Sequence, residues 1–154
     1  MKASITLGLT LAASLAAVLV PSSNVLAAPA IHNASICQHW NPGEANLPIY
    51  YADGIKNSST TAKTVVCPLV VTHTSGQSTG YVYVDHNNTV GFYCTLYSYS
   101  YSDVYLGSKT VWMPPTTKFT YIGTVPANTY SNHSVVCTLP ASYGGKVVAI
   151  ESNF

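Results

Sequence analysis

The chain is 154 residues long; 7% of them are charged and 11% aromatic, and six lysines against five carboxylates leave a formal charge of +1 with histidine neutral. There is no arginine. Nucleic-acid binding draws most of its affinity from cations on phosphate, so this composition excludes that class and disfavours docking on anionic membranes.

The first element is an export signal. Lys2 supplies a basic start, Ile5 to Val20 carries no charge, and Val25-Leu26-Ala27 ends on a small residue. That is the three-part secretory pattern. The apolar run is short for a membrane span, which needs about 20 residues. Cleavage is expected after Ala27, with Ala30 as the second choice and an uncleaved anchor as the disfavoured alternative. Residues 1–27 are thus read as a signal peptide and 28–154 as a single domain. Without Lys2 its formal charge is zero. No later stretch approaches a spanning length, so the mature chain is expected to be secreted, periplasmic or on the cell surface.

Beyond the signal, low charge does not mean disorder. All twelve tyrosines lie there, among many valines and threonines, a strand-forming composition. No window has a convincing helical period. Pro42-Gly43, Asp53-Gly54, Gly76, Gly107, Pro114-Pro115, Pro126 and Gly144-Gly145 punctuate the chain. Between them, strands are expected at Ser35–Trp40, Pro48–Asn57, Ala62–His73, Gly80–Asp85, Val90–Tyr99, Lys109–Met113, Thr117–Gly123, His133–Leu139 and Lys146–Glu151. Many short strands favour an all-β, two-sheet antiparallel sandwich, with a small barrel as the alternative. Pro68 removes a ladder donor, so its strand should be at an edge or bulged there.

Four cysteines, Cys37, Cys67, Cys94 and Cys137, all follow the signal. An even number in an exported chain implies disulfides, and long spacings without C-x-x-C argue against a zinc ribbon or a redox pair. Cys67, Cys94 and Cys137 alternate with apolar neighbours and should face the core. Sequence alone leaves three pairings; Cys37–Cys67 with Cys94–Cys137 is the expected one. A hairpin is also expected between Gly80–Asp85 and Val90–Tyr97. A three-residue loop would pair Val84 with Phe92 and Val82 with Cys94, placing Tyr81, Tyr83, Tyr93, Thr95 and Tyr97 on one outer face.

The most suggestive feature is the tyrosine stripe. Tyr93, Tyr97, Tyr99, Tyr101 and Tyr105 share parity in YCTLYSYSYSDVY and would leave one face of a strand. Tyrosine offers a flat apolar body with a polar tip, suited to sugar rings and protein partners. A merely solvated β face would look the same, and the stripe past Tyr99 could run into a loop. Trp40 and Trp112 are either ligand platforms or packing residues. The candidate binding face is Tyr93, Tyr97, Tyr99, Tyr101 and Trp112.

Catalytic signals are weak. His32, His39, His73, His86 and His133 lack metal spacing, and no cofactor is indicated. No G-x-S-x-G elbow exists, and Asp85-His86 are merely neighbours in sequence. Glu44 with Asp53, or Asp103 with Glu151, would form a glycosidase pair only by tertiary coincidence. Asn33, Asn57, Asn87 and Asn132 begin glycosylation sequons, expected by chance in so Ser/Thr-rich a chain.

The segments GIKNSSTTAKTVVCPLV, VYVDHNNTVGFYCTLYS and HSVVCTLPASYGGKVVAIE together resemble a functionally uncharacterised group of small exported bacterial proteins with four cysteines. In that group a G-[IV]-x-N-x-S … V-x-C-P segment precedes a V-x-V-Y/D … C-x-L hairpin and a C-x-[LI]-P end. The resemblance implies a bacterial, exported β domain and carries over no catalytic residue. The sequence therefore favours a non-enzymatic binding or surface protein recognising a glycan or extracellular protein through aromatic side chains. A structural matrix, coat or fibre subunit is the alternative, and a secreted hydrolase ranks third.

Overall fold

The computed structural model describes residues 29–44, 48–69, 76–86, 90–128 and 130–153. The expected signal peptide and its cleavage site lie outside the described residues, as does His73. The described residues form strands β1 (Ala30–Asn33), β2 (Gln38–His39), β3 (Pro48–Tyr51), β4 (Gly54–Asn57), β5 (Lys63–Leu69), β6 (Gly76–His86), β7 (Phe92–Tyr99), β8 (Tyr105–Met113), β9 (Phe119–Ala127), β10 (Asn132–Leu139) and β11 (Gly145–Asn153). Two short 3-10 turns, Ala34–Ile36 and Pro42–Glu44, flank β2.

The strands make two antiparallel sheets packed face to face, a sandwich rather than a closed barrel. One has the order β3-β4-β11-β6-β9, with β1 also on β11; the other runs β2-β5-β10-β7-β8. Period-2 alternation builds the core between them. Val65, Cys67 and Leu69 of β5, Cys94 and Leu96 of β7, and Val135, Cys137 and Leu139 of β10 point inward from the second sheet. They meet Val82 and Val84 of β6, Val125 of β9, and Val147 and Ile150 of β11. In β11 a bulge between Val147 and Ala149 keeps both Val147 and Ile150 inward.

Both disulfides have the expected partners, Cys37–Cys67 and Cys94–Cys137. Each lies within the second sheet, not between the sheets. Cys137 opposes Cys94 directly in the ladder, and Gln38 opposing Val66 brings Cys37 level with Cys67. Pro68 lies where β2 has ended. The Thr64 carbonyl accepts from the Trp40 N–H, so residues of Thr64's parity aim their backbone groups at β2. Pro68 shares that parity but has no β2 residue opposite among the described pairs, so its missing donor costs no ladder bond.

Three expectations are overturned. First, Gly80–Asp85 and Val90–Tyr97 do not form a hairpin: β6 and β7 belong to different sheets. Their apolar sides face each other across the core, where Gly80 stands within 3.1 Å (measured from an ideal Cβ) of the Leu96 side chain. Inward alternation is identical for strands that pair and strands that oppose, so the pattern could not separate the two. Second, Pro48–Asn57 is two strands. β3 and β4 pair around Ala52-Asp53, with Tyr51 opposite Gly54. Gly54 has φ 146°, and a Cβ there would stand 2.1 Å from the Val147 carbonyl oxygen, so only glycine fits. Third, Ser35–Trp40 is strand only at Gln38–His39: the 3-10 turn Ala34–Ile36 takes up its start and delivers Cys37 to this two-residue β2.

Candidate binding face

The outward residues of the five-stranded sheet hold most of the tyrosine stripe. Phe92, Cys94, Leu96 and Ser98 turn inward, which sends Tyr93, Thr95, Tyr97 and Tyr99 outward. β8 supplies the facing residues: Trp112 opposes Tyr93, Thr110 opposes Thr95, Ser108 opposes Tyr97, and Tyr105 opposes Tyr99 across a bulge.

The Tyr93 and Trp112 rings lie 4.6 Å apart, tilted by 56°. They remain 56% and 44% exposed. Beside them opens a depression of about 200 Å³, walled by Tyr93, Trp112, Val90, Ala62, Thr138 and Pro140. Gly91 and Phe92 also line it. An added Cβ at Gly91 would fall 2.4 Å from both the Met113 carbonyl oxygen and the Trp112 ring, so the indole lies over bare backbone.

At the other end, Tyr97 stacks on Tyr99 at 6.3 Å, and Tyr99 meets Tyr105 edge-on at 5.6 Å. The Tyr105 hydroxyl is 2.8 Å from the Ser108 hydroxyl. Between the two groups Thr95 and Thr110 share a hydroxyl contact of 2.9 Å. Tyr101 has left the strand for a turn, where it packs edge-on against Tyr130 at 6.5 Å. These two are 73% and 76% exposed. Tyr130 carries no period-2 signal, because it sits in a loop at φ 63°, and sequence reasoning missed it. Trp40 is also outward, at 61% exposure.

Tyr81 and Tyr83, expected beside Tyr93, are on the opposite side of the sandwich. There Tyr81 packs on Tyr121 at 5.2 Å and Tyr83 stacks on Phe119 at 5.9 Å. The Tyr83 hydroxyl donates to the Glu151 carboxylate, which holds the phenol above its ordinary pKa.

Charge is also segregated. Lys63 binds Glu44 at 2.7 Å, with the His39 ring 3.3 Å from the same carboxylate. That lysine hydrogen bond holds Glu44 below the usual carboxylate range. On the six-stranded sheet Lys146 binds Asp53 at 2.6 Å and lies 3.6 Å from Asp85, which Lys118 also reaches at 3.3 Å. Asp53 is depressed by its Lys146 bond; Asp85 is depressed too, because Lys118 and Lys146 outweigh the opposing effect of burial. Among the described residues, the strand positions facing outward from the five-stranded sheet carry no formal charge.

Three of the four carboxylates considered for acid–base work are engaged elsewhere, Glu44 by Lys63, Asp53 by Lys146 and Glu151 by Tyr83, and the fourth, Asp103, sits in an exposed turn. Among the described residues no three His, Cys, Asp or Glu side chains gather as a metal site, and no helix is long and apolar enough to cross a membrane. Asn57, one of the sequon asparagines, is buried; its amide donates to the Thr61, Leu139 and Pro140 carbonyls.

No protein-family model and no curated protein matches the sequence. Solved structures do match in shape. The CBM36-1 domain of a multidomain xylanase from the hindgut metagenome of Trinervitermes trinervoides is 11% identical, with a TM-score of 0.54 over 82% of this chain and 98% of that one. The C-terminal CBM6 of LamC, a marine laminarinase from Zobellia galactanivorans, is 11% identical, with a TM-score of 0.52 over 82% and 100%. A family 35 carbohydrate binding module from Clostridium thermocellum is 13% identical, with a TM-score of 0.52 over 82% and 98%. At such identities the likeness is one of fold: this chain shares the β-sandwich of those modules.

Proposed function

We propose that the protein is a non-enzymatic module that binds a glycan on the outer face of the five-stranded sheet. The observation that carries this reading is the half-exposed Tyr93–Trp112 pair beside an open apolar depression, on a face whose outward strand positions carry no charge among the described residues. Pyranose rings present C–H faces to aromatic rings and hydroxyls to their polar tips, and small-molecule sites combine apolar walls with a few polar groups. Thr138 supplies such a group in the wall. The fold shared with the three modules above, one of them named as a family 35 carbohydrate binding module, supports the same reading. Two disulfides are consistent with an extracellular location, where structural polysaccharides are met.

Affinity electrophoresis through gels cast with individual polysaccharides tests it. The wild type is expected to be retarded by at least one, equally at low and high salt. Tyr93→Ala and Trp112→Ala should each weaken binding about tenfold, near 1.4 kcal/mol. Absence of retardation by any polysaccharide overturns the reading. Concentration-dependent assembly without ligand would instead identify a structural subunit.

A further inference from the structure

We infer that the face is a track running across the strands, on which an extended, uncharged polysaccharide chain lies from Trp112 to Trp40. This rests on the glycan reading above and adds the direction, length and charge class of the ligand.

The ladder register carries the argument. Trp112 opposes Tyr93. Cys94 opposes Cys137, which brings Tyr93 level with Thr138 on the next strand. Thr138 opposes Thr64. The Trp40 N–H donates to the Thr64 carbonyl at 2.9 Å, one residue beyond the His39–Val65 pair. Trp112, Tyr93, Thr138, Thr64 and Trp40 therefore form one row across five adjacent strands. At about 4.8 Å per strand, four spacings give a row about 19 Å long. Its ends are indoles, and two threonine hydroxyls occupy its middle.

That length exceeds the Tyr93–Trp112 depression, which a single sugar would fill, and accommodates several pyranose rings of an extended chain. None of the five residues of the row is charged, and the Lys63–Glu44 pair beside its Trp40 end is closed on itself at 2.7 Å, so the row offers no unpaired lysine to meet a uronate or sulfate. The Trp40 end is held firmly. Its backbone is bonded to β5, the Cys37–Cys67 disulfide lies three residues before it, and buried His39 contacts the Asn41 backbone at 3.0 Å beside Glu44 and Lys63. An exposed indole on so braced a backbone is preorganised for contact rather than left loose.

Calorimetric titration of the full chain with neutral β-1,4-linked gluco-, manno- and xylo-oligosaccharides of increasing length tests the inference. Affinity is expected to rise with length and then level off. Trp40→Ala should remove that rise, weakening the longest oligomers about tenfold while the shortest bind as before; Trp40→Phe should restore part of it. Trp112→Ala should weaken every length, and a polyuronate of matching length should bind more weakly than the neutral chain. Length-independent affinity, an unchanged length profile in Trp40→Ala, or tighter binding of the polyuronate would overturn the track. If the wild type binds no oligosaccharide of any length or charge, the glycan reading itself fails.

Discussion

Replacing Gly91 with alanine tests whether Trp112 is held in place by the backbone beneath it. The added methyl would meet the Met113 carbonyl and the Trp112 ring at 2.4 Å each, about 1 Å inside ordinary van der Waals contact. The indole can swing aside, but the carbonyl belongs to β8 and can yield only if that strand shifts. Overpacking of this size costs about 1–3 kcal/mol, or about 3–5 °C in Tm per kcal/mol for a domain of this length. In a Trp40→Phe background Trp112 is the sole tryptophan, so its fluorescence reports the site alone. The expected result is a lower urea midpoint with unchanged m, a shifted Trp112 emission and weaker glycan binding. Combining Gly91→Ala with Trp112→Ala should recover the indole's share of the cost but not the carbonyl's. A Gly91→Ala protein with unaltered stability and emission would show that the indole does not depend on this close approach.

Other consequences are open to measurement. Replacing Cys94 and Cys137 with alanine releases a 43-residue closure, worth about 4 kcal/mol in the chain-entropy model; a loss well under 1 kcal/mol in urea titration would contradict it. Burial pushes the His133 imidazole below its ordinary pKa, against the opposing pull of the Ser131 and Pro126 backbones. The unfolded chain therefore takes up that proton first, so the contribution is present above about pH 6.5 and lost as pH falls through the depressed folded value, with a slope approaching 1.4 kcal/mol per pH unit at most. His133→Phe should flatten this limb of the stability profile, and an identical slope in the variant would refute the assignment. Glu44 and Asp53, held low by Lys63 and Lys146, add stability that is present above about pH 4 and disappears in stronger acid; Lys146→Met should shift that acid limb without altering glycan affinity. Tyr121→Ala, on the opposite sheet, should likewise leave glycan affinity unchanged, and a loss there would move the site.

Much of the architecture was legible because alternation is a local property. Phe92, Cys94 and Leu96, like Val135, Cys137 and Leu139, needed only their neighbours to show which way they point. Which strands pair is a three-dimensional property, and there the sequence was silent. Val82 and Val84 fit equally well beside Phe92 in one sheet or opposite it in another, so alternation alone does not show that Tyr81 and Tyr83 leave the opposite side of the sandwich from Tyr93. The Asp53-Gly54 turn signal was present, yet the apolar run through it masked a tight hairpin. The G-[IV]-x-N-x-S motif proves structural: Gly54 makes room for the Val147 carbonyl, and Asn57 bonds three carbonyls and accepts from the Ser59 N–H. Tyr93 and Trp112 could be named as candidates, but their juxtaposition depends on the β7–β8 register, and Trp40 joins them only through four successive strand pairings.

The pairing of β1 with β11 brings Ala30 opposite Ser152, so the outer ends of the first and last described strands emerge side by side. Tension applied through those ends would peel β1 from β11 one rung at a time, instead of shearing many hydrogen bonds together, and such a seam opens at low force. The rupture would begin in the six-stranded sheet. Both disulfides lie in the other sheet, beneath the aromatic row, so under such tension the seam would open while the disulfide-bonded sheet and its row of rings stayed together.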